Sequence, residues 1–489
     1  MKIIKIIPTK KSLVLVSFAL LLGLFSINNL WFIYFSAIVI FFVIFIKKKF
    51  AEKEANLLIK LFLIFLLLRV SVALMMWEFI IKHNNGVSLF GDGQTNHFLG
   101  FIISETFKGD LTKISSQAAL NSRLFQLIPF LYRLFKVPWG GEVWVLPSWI
   151  GRLPSVDAYQ VTGYAYLSAI FYYFFGFKPI LGIFFNSLLG ALLCICVYSI
   201  IKRISDNSAP KVGAVLAGLF PSLFLWSTIN EKEIIIIFLN ILIIICWTNI
   251  ITRKKWFLFP VIILLTWIER TFRSPFLLPF IFYNTLITLM LVGLWAIRKR
   301  FVLRGVIFLA ILLIFFSVKY APDAPEKLVK QFHKGILQIL DHHRVQVWEK
   351  GAYYKILEEK YYDPTKDLSG LSYKQIIMAY SKGFGHFILE PFPHKIDNFE
   401  KLLAYPENIY ICFLLIFFIL GIIITFKKNP IIFVILFSNF FIFSSLVAMG
   451  EGNIGGLFRH RDIVAPIFII FAAVGLGAFF RDRQKLSQF

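Results

Sequence analysis

Runs of about 18 or more apolar residues recur along this chain, at 179–201, 233–250, 408–426 and 463–480 among others, each long enough to cross about 30 Å of hydrocarbon. Between them lie short Lys/Arg clusters at 2–11, 47–53, 202–211, 253–255, 298–304, 427–428 and 481–485. Only 16% of the residues are charged, against roughly 25% in soluble domains, so the apolar surplus has no home in water. These features exclude a soluble fold. The formal net charge of +24 is carried mainly by clusters placed to orient spans, and nucleic acid is therefore not an expected partner.

Basic clusters favour the cytoplasmic side, and a topology that keeps all seven there has both termini cytoplasmic. About twelve spans satisfy it: 12–27, 31–46, 58–80, 179–201, 209–226, 233–250, 256–270, 276–297, 302–318, 408–426, 430–448 and 463–480. The first run leads through Asn28-Asn29 into the second with no small-residue cleavage site, and it reads as a retained helix. The apolar stretch 159–176 is the exception. Counting it as a span would put every later cluster outside, so it is expected as an interfacial or re-entrant helix on the outer face, where its tyrosines suit the headgroup boundary. The expected fold is an all-α polytopic membrane protein with outer-face juxtamembrane helices and a mostly helical external insert. It divides into a membrane domain 1–318 with a long first external loop 81–178, an external insert 319–407, and C-terminal membrane helices 408–489.

Polar residues with chemical potential collect in the external segments. Asp92, between Gly91 and Gly93, reads either as a general base or as an Asp in a glycine-rich turn. The turn after Trp226 places three charges, Glu231, Lys232 and Glu233, where only a turn is required, and Glu231 and Lys232 are suited to positioning a polar substrate or to capping the next helix. Arg270 and Arg273 beside Glu269, and Arg459, His460 and Arg461 after a run of glycines, put cations on the side that topology disfavours. Such arginines call for an anionic partner, and a phosphate matches the guanidinium fork. Pairing with nearby carboxylates or with lipid headgroups is the simpler alternative.

Several chemistries lack their signatures. There is no Walker A loop, HExxH, GxSxG or DxD, and His342, His343, His386 and His394 are not spaced as one metal motif, so no metal-binding residue is assigned. Cys194, Cys196, Cys246 and Cys412 lie inside apolar runs, where neither disulfides nor zinc ligation is expected.

The segment GDGQTNHFLGFIISETFKGD at 91–110 resembles the first external loop of the polytopic GT-C glycosyltransferases, with its acidic motif, amphipathic helix and closing Gly109-Asp110 pair. TGYAYLSAIFYYFFG at 162–176 is similar to the membrane-lying helix that ends that loop, and the resemblance runs over roughly 58–270, where Asp92-Gly93 replaces the Asp-Glu of many relatives. That likeness implies transfer of a sugar from a polyprenyl-phosphate donor to an acceptor hydroxyl on the non-cytoplasmic side, with inversion. It implies Asp92 as base, Arg270, Arg273, Arg459, Arg461, Lys232 and His460 as contacts to the donor phosphate, and Glu231 and Asp110 as substrate-positioning residues. No certain cofactor is implied, and a divalent metal is left open. The expected partners are the lipid-linked donor, membrane lipids, and an envelope glycan, lipid or protein acceptor, in a bacterial cytoplasmic membrane. An O-antigen or exopolysaccharide polymerase fits much of the same inventory. A lipid-linked sugar flippase fits less well, because the expected spans hold few central charges and show no repeat.

Overall fold

The structure, a computed structural model, describes residues 30–81, 88–89, 91–108, 162–205, 208–273, 277–298, 324–349, 353–363, 365–390 and 399–486. The expected spans 12–27 and 302–318, Asp110 and His394 lie outside the described residues. Every regular element among the described residues is helical, with one isolated antiparallel bridge between Tyr353 and Asn453. Packing divides the chain into two compact units, one of residues 1–192 with 226–232 and one of 193–225 with 233–489.

In the first unit, α1 (Leu30–Lys49) is apolar up to three closing lysines, Lys47, Lys48 and Lys49, whose charge suits a helix C-terminus. It packs against α2 (Glu52–Met76), which continues as a π-helical turn over Trp77–Ile81. The helix α3 (Gly91–Phe107) packs on α4 (Gly163–Phe175) through Leu99, Ile103, Ala165 and Ala169. At 13 residues, α4 rises about 20 Å, short of the roughly 30 Å of a hydrocarbon core. Trp31 and Phe35 of α1 lay their rings against Phe184 in the first half of α5 (Ile180–Ile201).

The second unit holds the remaining helices. The expected span 209–226 is broken into α6 (Ala209–Leu219) and α7 (Pro221–Trp226). Pro221 disfavours helical backbone at the residue before it, and Phe220 is extended, with ψ of 121°. Then follow α8 (Glu233–Arg253), α9 (Phe259–Phe272) and α10 (Leu277–Arg298). The insert contributes α11 (Ala324–Glu349) and α12 (Tyr373–Leu389), both packed against α14 (Pro430–Gly450). α13 (Phe399–Lys428) runs close against α16 (Ala465–Leu486), with the short α15 (Ile454–Arg461) before it. A Cβ at Gly421 would come within 1.7 Å of the Phe471 carbonyl oxygen, and one at Gly475 within 2.0 Å of that of Phe417. Glycine at both positions lets the two backbones touch, the usual device where helices associate in lipid. Asn240 and Asn439 exchange amide hydrogen bonds of 3.1 and 2.9 Å between α8 and α14, satisfying groups that hydrocarbon would strand.

Five helices are long and apolar enough to cross a membrane among the described residues: 52–81, 180–201, 233–253, 405–428 and 430–450. A sixth is possible if α15 and α16, bent by 59° at their junction, form one broken span. The chain thus has the helices of a multi-pass membrane protein, at five positions close to expected spans.

Candidate functional site

In the first unit, the segment 226–232 is held by side chains from three helices. Arg69, fully buried in the middle of α2, donates from Nε to Ser227 Oγ at 2.8 Å and from Nη1 to the Phe65 carbonyl at 3.3 Å. Ser187 Oγ donates to the Ser227 carbonyl at 2.8 Å. The Asn186 amide donates to the carbonyls of Ile229 and Glu231 at 2.7 and 2.8 Å, and the Tyr164 hydroxyl donates to Asn230 Oδ1 at 3.3 Å. Buried backbone polar groups must find partners, and this turn finds them in side chains.

Those contacts aim Glu231 at the start of α3. Its Oε1 accepts from the Gly93 N–H at 3.0 Å and from Ser88 Oγ at 3.2 Å, so a carboxylate distant in sequence takes up one of the unpaired donors of the α3 N-terminus. Asp92 stands half-buried in the same first turn. Gly93 is required here, since a Cβ would lie 2.3 Å from the Asn230 carbonyl oxygen and 2.6 Å from Glu231 Oε1. One turn on, His97 bonds Tyr172, and burial pushes its imidazole down to about 3 although the hydrogen bond with Asn230 works to raise it. It stands neutral beside Asp92's turn at ordinary pH.

In the second unit, Arg273 at the end of α9 and Arg459 of α15 converge on one oxygen of Glu233. Arg273 Nη2 lies 3.1 Å from Glu233 Oε1 and Arg459 Nε lies 3.0 Å from the same atom. Glu233 is buried while the arginines keep 11% and 21% of their side chains exposed. Two guanidinium forks thus meet at one point, and their partial exposure leaves them within reach of an anion.

The neighbouring cations are held differently. His460 pairs with Glu451. Burial works to raise the Glu451 carboxyl, but the charge and hydrogen bond of His460, with help from Arg273 and His342, hold it down to about 2. Arg461 is buried and spends its guanidinium on Glu407 at 2.7 Å, Asn408 at 3.2 Å and the carbonyls of Phe387 and Glu390 at 3.2 and 2.9 Å. Ser222 ties Glu407 and Asp462 into the same network, through its N–H at 3.2 Å and its hydroxyl at 2.6 Å. Arg270 is exposed, Glu269 is fully buried and Lys232 is half-buried.

The structure therefore brings Glu231 to Asp92's turn in one unit, and Arg273 and Arg459 together in the other. Among the described residues no group of three or more His, Cys, Asp or Glu side chains is placed to hold a metal ion. Arg69 and Glu233 organise these sites, Glu233 as one of the charges read in the turn after Trp226 and Arg69 without having been singled out. The signal for Arg69 was present, an isolated arginine inside an apolar run, which is expensive in lipid unless it has a task. Compared with protein-family models, with the curated proteins and with the solved structures, the chain matches none.

Proposed function

We propose that this chain is a membrane glycosyltransferase of the GT-C type, moving a sugar from a polyprenyl-phosphate donor to an acceptor hydroxyl on the non-cytoplasmic face of a bacterial cytoplasmic membrane, with both termini cytoplasmic. The observation that carries the reading is the convergence of Arg273 and Arg459 on the carboxylate of Glu233, a partly exposed pair of guanidinium forks whose geometry suits a phosphate.

In this reading the Asp92 carboxylate accepts the proton of the acceptor hydroxyl as that oxygen bonds to the anomeric carbon from the face opposite the phosphate. The bond from that carbon to the phosphate oxygen breaks, and the lipid phosphate leaves with the electron pair. Arg273 and Arg459 take up the charge that develops on it, the kind of fixed electrostatic contact that lowers such barriers. Glu231 acts on the reaction through the position of Asp92's turn, while His460 keeps Glu451 ionised next to the arginines. Arg461, whose Nη1 and Nη2 are bonded to Glu407, Asn408 and backbone carbonyls, holds the scaffold under Arg459. Arg270 and Lys232, less enclosed, meet the lipid phosphate as it approaches. The acceptor is an envelope glycan, lipid or protein.

The test is incubation of the purified full-length protein with a panel of polyprenyl-phosphate sugars, following release of the lipid phosphate. Asp92→Asn is expected to lower turnover by roughly a hundred- to ten-thousandfold, the usual contribution of a general base. Wild-type protein inactive toward every donor refutes the reading, and full activity in Asp92→Asn removes that residue from the mechanism.

A further inference from the structure

The external insert contains a groove of about 580 Å³ that the transfer site does not use, within the roughly 300–1,000 Å³ usual for small-molecule sites. One wall is a face of α11 bearing His333, Gln338, Asp341 and Arg344, and the other is the loop carrying Asp367 and leading to Tyr373. The wall positions are fixed before any ligand arrives. Arg344 donates to the Lys366 carbonyl at 2.6 Å and pairs with Asp341, closing the floor. Asp367 accepts from the Ser369 N–H at 3.0 Å, and Ser372 and Gln375 form a reciprocal cap that starts α12 at Tyr373. Groups held in this way lose little freedom on binding.

The groove's chemistry narrows the ligand. Lys334 and Arg344 are balanced by Asp341 and Asp367, so nothing selects a phosphate or any other net charge. The lining holds both donors and acceptors, and His333 Nδ1 is buried with no hydrogen-bond partner among the described residues. Tyr373 lines the groove and is 61% exposed, its ring inclined at 63° to that of His333 with the centroids 5.3 Å apart. An aromatic face beside mixed donors and acceptors, with no net charge, fits a ligand that has both C–H faces and hydroxyls. We infer that this groove binds an uncharged oligosaccharide, and its opening to solvent accommodates the interior of a chain. The inference rests on the transferase reading only in making that glycan the acceptor, since the groove's own chemistry is independent of the donor site.

The experiment is calorimetric titration of the full-length protein in nanodiscs, without donor, with uncharged hexose oligosaccharides of two to six units and with sialylated counterparts. Saturable binding of an uncharged member is expected. Tyr373→Ala should weaken it by roughly three- to tenfold, the loss typical of a removed aromatic contact. Gln338→Ala, also an exposed change, should weaken it as well. No binding by any uncharged member, binding of sialylated members only, or affinity untouched by both groove variants overturns the inference. Glycan binding that persists in a protein inactive toward all donors would sink the transferase reading and leave the groove standing. Donor turnover without glycan binding would do the reverse.

Discussion

Substituting Gly93 by Ala tests whether the buried turn at 226–232 fixes Asp92's helix. The added Cβ would sit 2.3 Å from Ser88 Oγ, 2.3 Å from the Asn230 carbonyl oxygen and 2.6 Å from Glu231 Oε1. The serine hydroxyl can rotate away. The Asn230 carbonyl cannot, because the carbonyls on either side of it are gripped by Asn186. The helix must therefore move off, and the hydrogen bond from the Gly93 N–H to the Glu231 carboxylate breaks. Overpacking typically costs about 1–3 kcal/mol and a lost hydrogen bond to a charged group about 1.5–3, against about 1 regained from replacing glycine in a helix, which nets about 2–5 kcal/mol. The assay is hydrogen exchange of the α3 amides, expected to speed up at least about thirtyfold, with α12 unaffected. Gly335→Ala is the control, since nothing lies within 4 Å of its Cβ position, and it should stabilise α11 by up to about 1 kcal/mol. Wild-type exchange across α3 in Gly93→Ala would refute the idea that Glu231 and Asn230 hold this helix.

Arg461→Ala leaves Glu407 buried without its cation, a loss of about 3–5 kcal/mol, so the variant should yield little folded protein in size-exclusion profiles; a well-folded variant with only weakened donor affinity would make Arg461 a ligand contact instead. Removing Arg273 or Arg459 singly should raise the donor KM, and the double variant should show less than the product of the two effects because both act through Glu233; strict additivity counts against a shared site. Because the Glu451 carboxyl is held at about 2, below its ordinary 4.5, it stabilises the fold above pH 4.5, and that stability is lost as pH falls from 4.5 toward 2; Glu451→Gln should flatten a denaturation-versus-pH curve in that window. A cysteine label near Ser205 should resist an impermeant reagent applied from outside, and labelling there would invert the topology.

The parts of this molecule legible in its sequence are those that depend on single elements. Runs such as 179–201 and 430–448 are long apolar segments, and hydropathy alone places helices there. The break at Phe220-Pro221 follows from an equally local rule, but apolar length outweighed it, so the expected span 209–226 ran through the proline. What stayed illegible depends on pairs far apart in the chain. Glu233 reads as the acidic first turn of a helix until Arg459, 226 residues on, is seen to share its carboxylate. Arg461, by type and setting the equal of Arg459, turns out to be spent on its own scaffold.

Gly93 shows how a departure from a motif becomes an observation. In sequence it is an acidic residue missing next to Asp92. In three dimensions, a side chain at that position would have to occupy the volume already filled by the Glu231 carboxylate. The negative charge is still delivered to the start of α3, but by a turn whose position depends on Asn186, Ser187 and Arg69. A charge supplied through so many partners can be weakened from any of them. Variants at Asn186 or Ser187, which act on Glu231 through the backbone of its turn, should therefore impair the same step as a change at Glu231, whereas a carboxylate built into the motif itself would be indifferent to both.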